Sequence, residues 1–311
     1  MRISLVLGSG SARGYAHIGV IEELEARGHT VTSIRGCSMG ALVGGVYAAG
    51  GLSELKDFVC GLTKGEVARM MDVSLTDSGV IKAQKVMHKL DGIIGDLSIE
   101  DLPINYAAVA SDVFNRREVW FREGRLSTAI RASIAVPGFI SPVIVGDRIL
   151  SDGGVLNPLP VDRSVSVDTD AIVAVSLFGK RSQIGNATPT REEVENATIM
   201  SWVNKVQESM LSNPVGRALG GLLGVDEEAV KSYRPPTPKT VPDTVSVMEM
   251  SFRALDTMQA AIEMSRTAVN PPDVLISVPT HVCTAMDFHM ATDVIEIGRE
   301  LAVKEFDRAG L

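Results

Sequence analysis

Val31-Thr32-Ser33-Ile34-Arg35-Gly36-Cys37-Ser38-Met39-Gly40 carries an apolar, β-branched run straight into a serine with a glycine two positions away on each side. Val31–Arg35 reads as a short buried strand, and the small residues of Ala41–Ala49, Gly44 and Gly45 among them, as a helix pressed close against a sheet. Gly-x-Ser-x-Gly at a strand-to-helix junction is a nucleophile elbow, where backbone and side chains crowd so closely that glycine is needed on either side of the serine. The serine then stands at the carboxyl edge of the sheet, at the positive end of the following helix. The pattern alone also fits a plain turn whose serine caps a helix.

Upstream, Ile3–Leu7 is a buried-strand run that opens into the loop Gly8-Ser9-Gly10-Ser11-Ala12-Arg13-Gly14. Apolar spacing over Ala16–Arg27 predicts a helix ending at Gly28. Downstream of a helical, loop-rich region at Ser53–Leu97, Asn105–Ala110 and Glu118–Phe121 read as strands, and Leu126–Ser133 as a helix stopped by Ala135-Val136-Pro137-Gly138. Val143–Val145 and Arg148–Leu150 flank Gly146-Asp147 as a hairpin that delivers the chain to Ser151-Asp152-Gly153-Gly154. Ala171–Phe178 and Asp273–Val278 are later strands, and Ala291–Phe306 is a closing helix. Alternation of strand and helix predicts an α/β fold, a mostly parallel sheet with helices on its faces, in one domain spanning residues 1–311.

Gly179–Asp243 departs in composition, polar at first and then carrying Gly220-Gly221-Leu222-Leu223-Gly224 and Pro235-Pro236-Thr237-Pro238. It reads as an insertion over one sheet edge that governs substrate access. The helical spacing of Met248, Met250, Met258 and Met264 predicts core packing rather than an acyl-chain lining.

A net charge of -8 and no Lys/Arg run argue against nucleic-acid binding, which needs a surface that displaces counterions from phosphates. Cys37, Cys60 and Cys283 form neither a disulfide framework nor a metal-ligand spacing, so no metal or other cofactor is expected. The apolar run at the N-terminus is too short for a signal peptide, and no long uncharged apolar stretch spans a membrane. The expectation is a cytoplasmic protein, with peripheral contact to lipid left open and the oligomeric state unread.

A serine hydroxyl attacks only when a base takes its proton. One candidate is a histidine late in the chain, His281 or His289, as in a Ser-acid-His order. The stronger is Asp152, whose Gly153-Gly154 turns the backbone sharply and leaves the carboxylate uncovered. The amides of the Gly8–Gly14 loop, at a strand-to-helix junction, suit the negative charge of a tetrahedral intermediate, and Arg13 adds a cation. The same loop with Arg35 is a weak dinucleotide pattern and gives a competing NADP-binding reading. His17, three residues after the loop, reads as a packed core histidine, and Cys37 as a small buried residue.

The Gly8–Gly14 loop, Gly36-Cys37-Ser38-Met39-Gly40 and Asp152-Gly153-Gly154, in that order, resemble the patatin-like phospholipase family, and small bacterial members most closely. Tyr15–Val20 and Ala132–Phe139 add to the likeness, which covers about residues 3 to 178. The resemblance implies a three-layer α/β/α sandwich and an acyl hydrolase working by a dyad, with Ser38 as nucleophile, Asp152 as base and no histidine. It implies an oxyanion hole from the amides of Gly10, Ser11 and Ala12, with Gly8, Ser9, Arg13, Gly14, Gly36, Met39, Gly40, Gly153 and Gly154 in support. Phospholipids, lysophospholipids or other acyl esters would be the substrates. Ser9 and Ser11 stand where the family usually has glycine, and serine is disfavoured wherever φ is positive. That departure motivates an alternative, a weakly active scaffold that binds lipid or a protein partner.

Overall fold

Strand β1 (Arg2–Leu7) buries every residue after Arg2. A strand covered on both faces belongs in the middle of a parallel sheet. β1 lies between β2 (Thr30–Cys37) and β7 (Ala171–Gly179), parallel to both. The structure, a computed structural model, describes residues 1–70, 83–162, 169–180 and 247–311. The insertion expected at 179–243 lies outside them except for Gly179 and Lys180.

With β3 (Asn105–Asp112), β4 (Arg117–Phe121), β5 (Val143–Val145), β6 (Arg148–Asp152) and β8 (Val274–Pro279), the sheet order is β5-β6-β3-β2-β1-β7-β8, and β4 pairs with β3. Strands β3, β2, β1, β7 and β8 are parallel, while β4, β5 and β6 run antiparallel at one side. The parallel sheet expected from the alternating sequence is therefore present, with an antiparallel border.

Helices cover both faces. On one, α1 (Ala16–Ala26), α2 (Met39–Ala48) and α8 (Ala291–Ala309) pack on Ile3, Leu5 and Leu7 of β1 and on Val173 and Val175 of β7. Helix α8 buries Val294, Ile295, Gly298, Ala302 and Phe306, a spacing that places one stripe against the core. A fully buried side chain of this size stabilises by roughly 1.5–3 kcal/mol. α3 (Leu52–Cys60), α4 (Lys64–Met70), α5 (Gln84–Ile94) and α6 (Leu126–Ser133) extend this side.

The other face carries a small apolar cluster of Val6, Ile172, Ala174, Leu159 and Val161. Beside it lies the long helix α7 (Val247–Val269), which buries two polar residues, Gln259 and Glu263. Here the sequence expectation is corrected for three of the four methionines: Met250, Met258 and Met264 are 48%, 57% and 72% exposed, so they do not pack in a core, while the side chain of Met248 lies outside those described. Helical spacing was right, but the helix turns its polar stripe inward, where Asp256, Gln259 and Glu263 find partners. Among the described residues no helix is long and apolar enough to cross a membrane.

Candidate active site

Strand β3 aligns the two residues on which the site depends. β4 occupies one edge of β3 from Ala108 to Asp112, so β2 and β6 must share the other edge in succession. Cys37, the last residue of β2, stands opposite Val109, and Asp152, the last residue of β6, stands opposite the next residue, Ala110. Residues far apart in the chain are thereby brought to one corner of the sheet by ladder register alone.

Ser38 leaves β2 at φ 54° and ψ -120°, outside the ordinary basins for a residue with a side chain. Its flanking glycines are there for space. A Cβ on Gly40 would lie 2.1 Å from the Leu7 carbonyl oxygen, and one on Gly36 2.5 Å from Ala41 Cα. The strained turn is held from α6: the Ser38 amide donates to Ser133 Oγ at 2.8 Å, and that hydroxyl donates to the Val109 carbonyl at 2.6 Å. Two residues on, the Ala135 carbonyl accepts from the Asp152 amide at 2.8 Å and from Ser151 Oγ at 2.7 Å. The segment after α6 thus fixes elbow and carboxylate together.

Asp152 is 1% exposed. Oδ1 accepts from the Gly154 amide at 2.7 Å, while the buried Oδ2 has no fully formed hydrogen bond. Burial pushes the carboxyl's pKa up to about 6, against the pull of the Ser38 hydroxyl and the Gly154 amide. Ser38 is the side-chain hydroxyl that acts on this carboxyl. Of the histidine candidates, His281 is exposed, and among the described residues neither it nor His289 hydrogen-bonds Ser38.

The Gly8–Gly14 loop is pinned at several points. Gly8 N–H donates to the Val175 carbonyl (3.0 Å), Ser9 N–H to the Pro158 carbonyl (2.8 Å), and buried His17 holds the Gly8 carbonyl through Nε2 at 2.9 Å. Burial lowers the His17 pKa to about 4, so the ring is neutral and Nε2–H is the donor. At Gly10 a Cβ would strike the Leu177 side chain at 2.5 Å. Ser11 takes a left-handed φ of 49°, so one of the two serine departures sits where glycine is preferred. Ser9 is not in that region: its hydroxyl donates to Gln259 Oε1 at 2.6 Å. The Ala12 amide is engaged, at 3.5 Å, by the Ala285 carbonyl; among the described residues the Gly10 and Ser11 amides have no acceptor. Arg13, 2% exposed, donates to Asp256 at 2.8 Å and lies over the Phe178 ring.

Helix α7 plays a part that its sequence did not announce. Asp256 meets Arg13, Gln259 meets Ser9 and crowds Gly154, Glu263 meets Ser176, and Arg266 meets Glu118. These positions follow three or four apart, so a periodicity signal existed, but it was polar and its partners lie some 90 to 250 residues away.

An apolar cavity of about 150 Å³ begins at Ser38 and Met39 and runs between α3, α4 and α5, with Leu55, Phe58, Leu90 and Ile93 among its walls. The helical stretch from Ser53 on, uninformative as sequence, therefore builds the cavity beside Ser38. Arg35, 3% exposed, donates to the Asp162 carbonyl, a buried placement unlike that of a phosphate-binding side chain on a loop. Cys37 is fully buried, and burial raises its thiol pKa well above the usual value.

A serine on a strained elbow at the carboxyl edge of a mostly parallel sheet, with an amide-bearing loop beside it, defines the α/β folds organised around a nucleophile elbow. Within that class the chain belongs to the patatin-like phospholipase family, whose model matches residues 5–164. Uncharacterized NTE family proteins of Mycobacterium tuberculosis and Mycobacterium bovis are 39% identical to it over 98% of this chain and 91% of their own. A lysophospholipase of Neurospora crassa is 30% identical over 56% of this chain and 12% of its own. The crystal structure of VipD from Legionella pneumophila aligns with 99% of this chain and 67% of its own, at 12% identity and a TM-score of 0.45.

Proposed function

We propose that this chain is a serine acyl hydrolase acting on lipid esters, with Ser38 as nucleophile and Asp152 as its base. The observation that carries the reading is the pairing of a strained elbow serine with a buried carboxylate whose Oδ2 is unsatisfied, at the head of an apolar cavity. Family membership and the lysophospholipase among its relatives support a lipid as substrate.

In this reaction Asp152 Oδ2 takes the proton of Ser38 Oγ as Oγ bonds to the ester carbonyl carbon. The carbonyl oxygen becomes an oxyanion, and the Gly10 and Ser11 amides, without an acceptor among the described residues, are the donors that receive it. The C–O bond to the alcohol then breaks, and Asp152 returns the proton to the leaving oxygen. Water then gives a proton to Asp152 as it attacks the acyl-serine, the bond between Ser38 Oγ and the acyl carbon breaks, Asp152 returns the proton to Oγ, and a fatty acid leaves. No histidine takes part. A carboxyl with a pKa near 6 is ionised at neutral pH yet basic enough to accept a proton in the transition state. The apolar cavity takes the acyl chain.

The test is fluorophosphonate labelling together with mass spectrometry of fatty acids released from a panel of phospholipids, lysophospholipids and neutral acyl esters. Wild type should label at Ser38 and release fatty acid; Ser38→Ala should do neither. A wild-type protein that neither labels nor hydrolyses any lipid in the panel would overturn the reading.

A further inference from the structure

Two hairpin ends rise above the sheet on the side where Ser38 stands. β3 is parallel to β2, and Cys37 is level with Val109. The next three residues of β3 therefore continue past the elbow, by about 10 Å at 3.3 Å per residue. There the chain turns through Val113–Arg116 into β4, since Asp112 pairs with Arg117. β6 pairs Leu150 with that same Asp112, so Ile149, Arg148 and the β5–β6 turn at Gly146-Asp147 lie beyond it in the same direction. Both tips thus project from the carboxyl edge at the corner that holds Ser38 and Asp152.

What these tips expose is unusual for a turn. Phe114 is 74% exposed and Ile144 75%, with Val113 and Ile149 also exposed. Ile144 and Ile149 are directly opposed cross-strand, on the hairpin face away from buried Leu150. The turn bearing Phe114 is built to keep its shape: Asp112 accepts from the Asn115 amide at 3.0 Å and from its side chain at 2.8 Å. Beside these apolar groups stand Arg116, Arg117 and Arg148, all exposed and, among the described residues, without an ion pair. Asp147 is the exposed acid in the turns. Arg148 acts electrostatically on the buried Asp112 carboxylate, but with three exposed arginines against exposed Asp147 the corner is locally positive on a chain whose net charge is -8.

We propose that this corner, with Phe114 and Ile144 as apolar anchors and Arg116, Arg117 and Arg148 as cations, docks the protein on an anionic lipid surface and brings the Ser38 edge to it. Aromatic and aliphatic side chains enter the acyl boundary of a bilayer while arginines hold the phosphate layer. A two-fold contact between copies through this corner would set arginine against arginine, whereas an anionic lipid surface offers the opposite charge, so the occupant is a lipid surface. The proposal rests on the lipid-hydrolase reading for its purpose, but its test does not depend on turnover.

The full chain carrying Ser38→Ala is co-sedimented with vesicles of phosphatidylcholine and with vesicles in which a third of the lipid is phosphatidylglycerol. Binding should be strong only to the second and should fall with salt. Replacing all three arginines (Arg116→Gln, Arg117→Gln, Arg148→Gln) should weaken it at least ~tenfold and remove the salt dependence. Phe114→Ser with Ile144→Ser should weaken it by a similar factor. With Ser38 restored, both variants should keep wild-type turnover of a soluble short-chain ester, which shows that they fold, while losing hydrolysis of vesicle-embedded lipid. Binding to neither vesicle, or equal binding by wild type and variants, overturns the proposal. So does a dimer in solution that Phe114→Ser dissolves, which would make the corner a self-association face. Absence of Ser38 labelling sinks the hydrolase reading and leaves the vesicle result standing.

Discussion

Helices α8 and α7 cover opposite faces of one sheet with opposite chemistry. α8 turns Val294, Ile295, Ala302 and Phe306 to the core and its charges to solvent. α7 turns Gln259 and Glu263 inward and leaves Met250, Met258 and Met264 outside. Apolar burial is non-directional and holds a fold together; buried polar groups must be matched one to one, so they fix particular loops in particular places. One face stabilises the molecule, and the other positions the Gly8–Gly14 loop and the turn after Asp152.

The sharpest break of that comparison is at the corner between the faces. Ser38→Ala should lower ester hydrolysis by roughly 10⁴-fold or more while leaving the thermal midpoint nearly unchanged, since it removes the proposed nucleophile but no packing. Turnover on a chromogenic ester and calorimetry on the same sample decide it. On the apolar face, Phe306→Ala should cost about 3–5 kcal/mol of stability in denaturant unfolding, because this fully buried ring leaves a cavity. Residual folded protein should still label at Ser38. An equally large stability loss from Gln259→Ala would erase the distinction between the faces.

The polar face has its own signature in pH. Burial raises Asp152 from 3.8 to about 6 and Glu263 from 4.5 to about 7. The folded chain then keeps protons that the unfolded chain has released, so both groups favour the fold below about pH 4 and lose that contribution as pH rises through 6 and 7. Asp152→Asn and Glu263→Gln should each stabilise the protein at pH 8 by about 1–3 kcal/mol and have little effect near pH 4, as read by thermal unfolding at both values. In activity the sign reverses for Asp152: wild-type kcat/KM should rise with pH through an inflection near 6, and Asp152→Asn should lose both inflection and turnover. The smallest effect belongs to Gln259→Ala, which unpairs the Ser9 hydroxyl. It should cost on the order of 1 kcal/mol in stability and several-fold in kcat with little change in KM.

Much of the candidate site was readable because its signals are local. Glycines around Ser38 and after Asp152 report close approach, and the strand-helix alternation places them at sheet edges. The Gly8–Gly14 loop was readable for the same reason, but the different fates of its two serines were not. Ser11 takes the left-handed conformation and Ser9 an ordinary one with a partner on α7, a distinction set by contacts 250 positions away. The cavity was hidden because α3, α4 and α5 show ordinary amphipathic patterns, and apolar residues that line a void look like apolar residues that fill one.

Composition and motif order by themselves determined the α/β class, the family likeness and the candidate pair Ser38 and Asp152, since turn chemistry and hydrophobic period act over a few residues. Only the tertiary structure decided that Cys37 and Asp152 stand opposite successive residues of β3, that α7 packs with its polar stripe inward, and that the two hairpin tips rise at the same corner. The reason is register: which residues face one another across a sheet depends on strands that pair over long separations, and no local propensity encodes it.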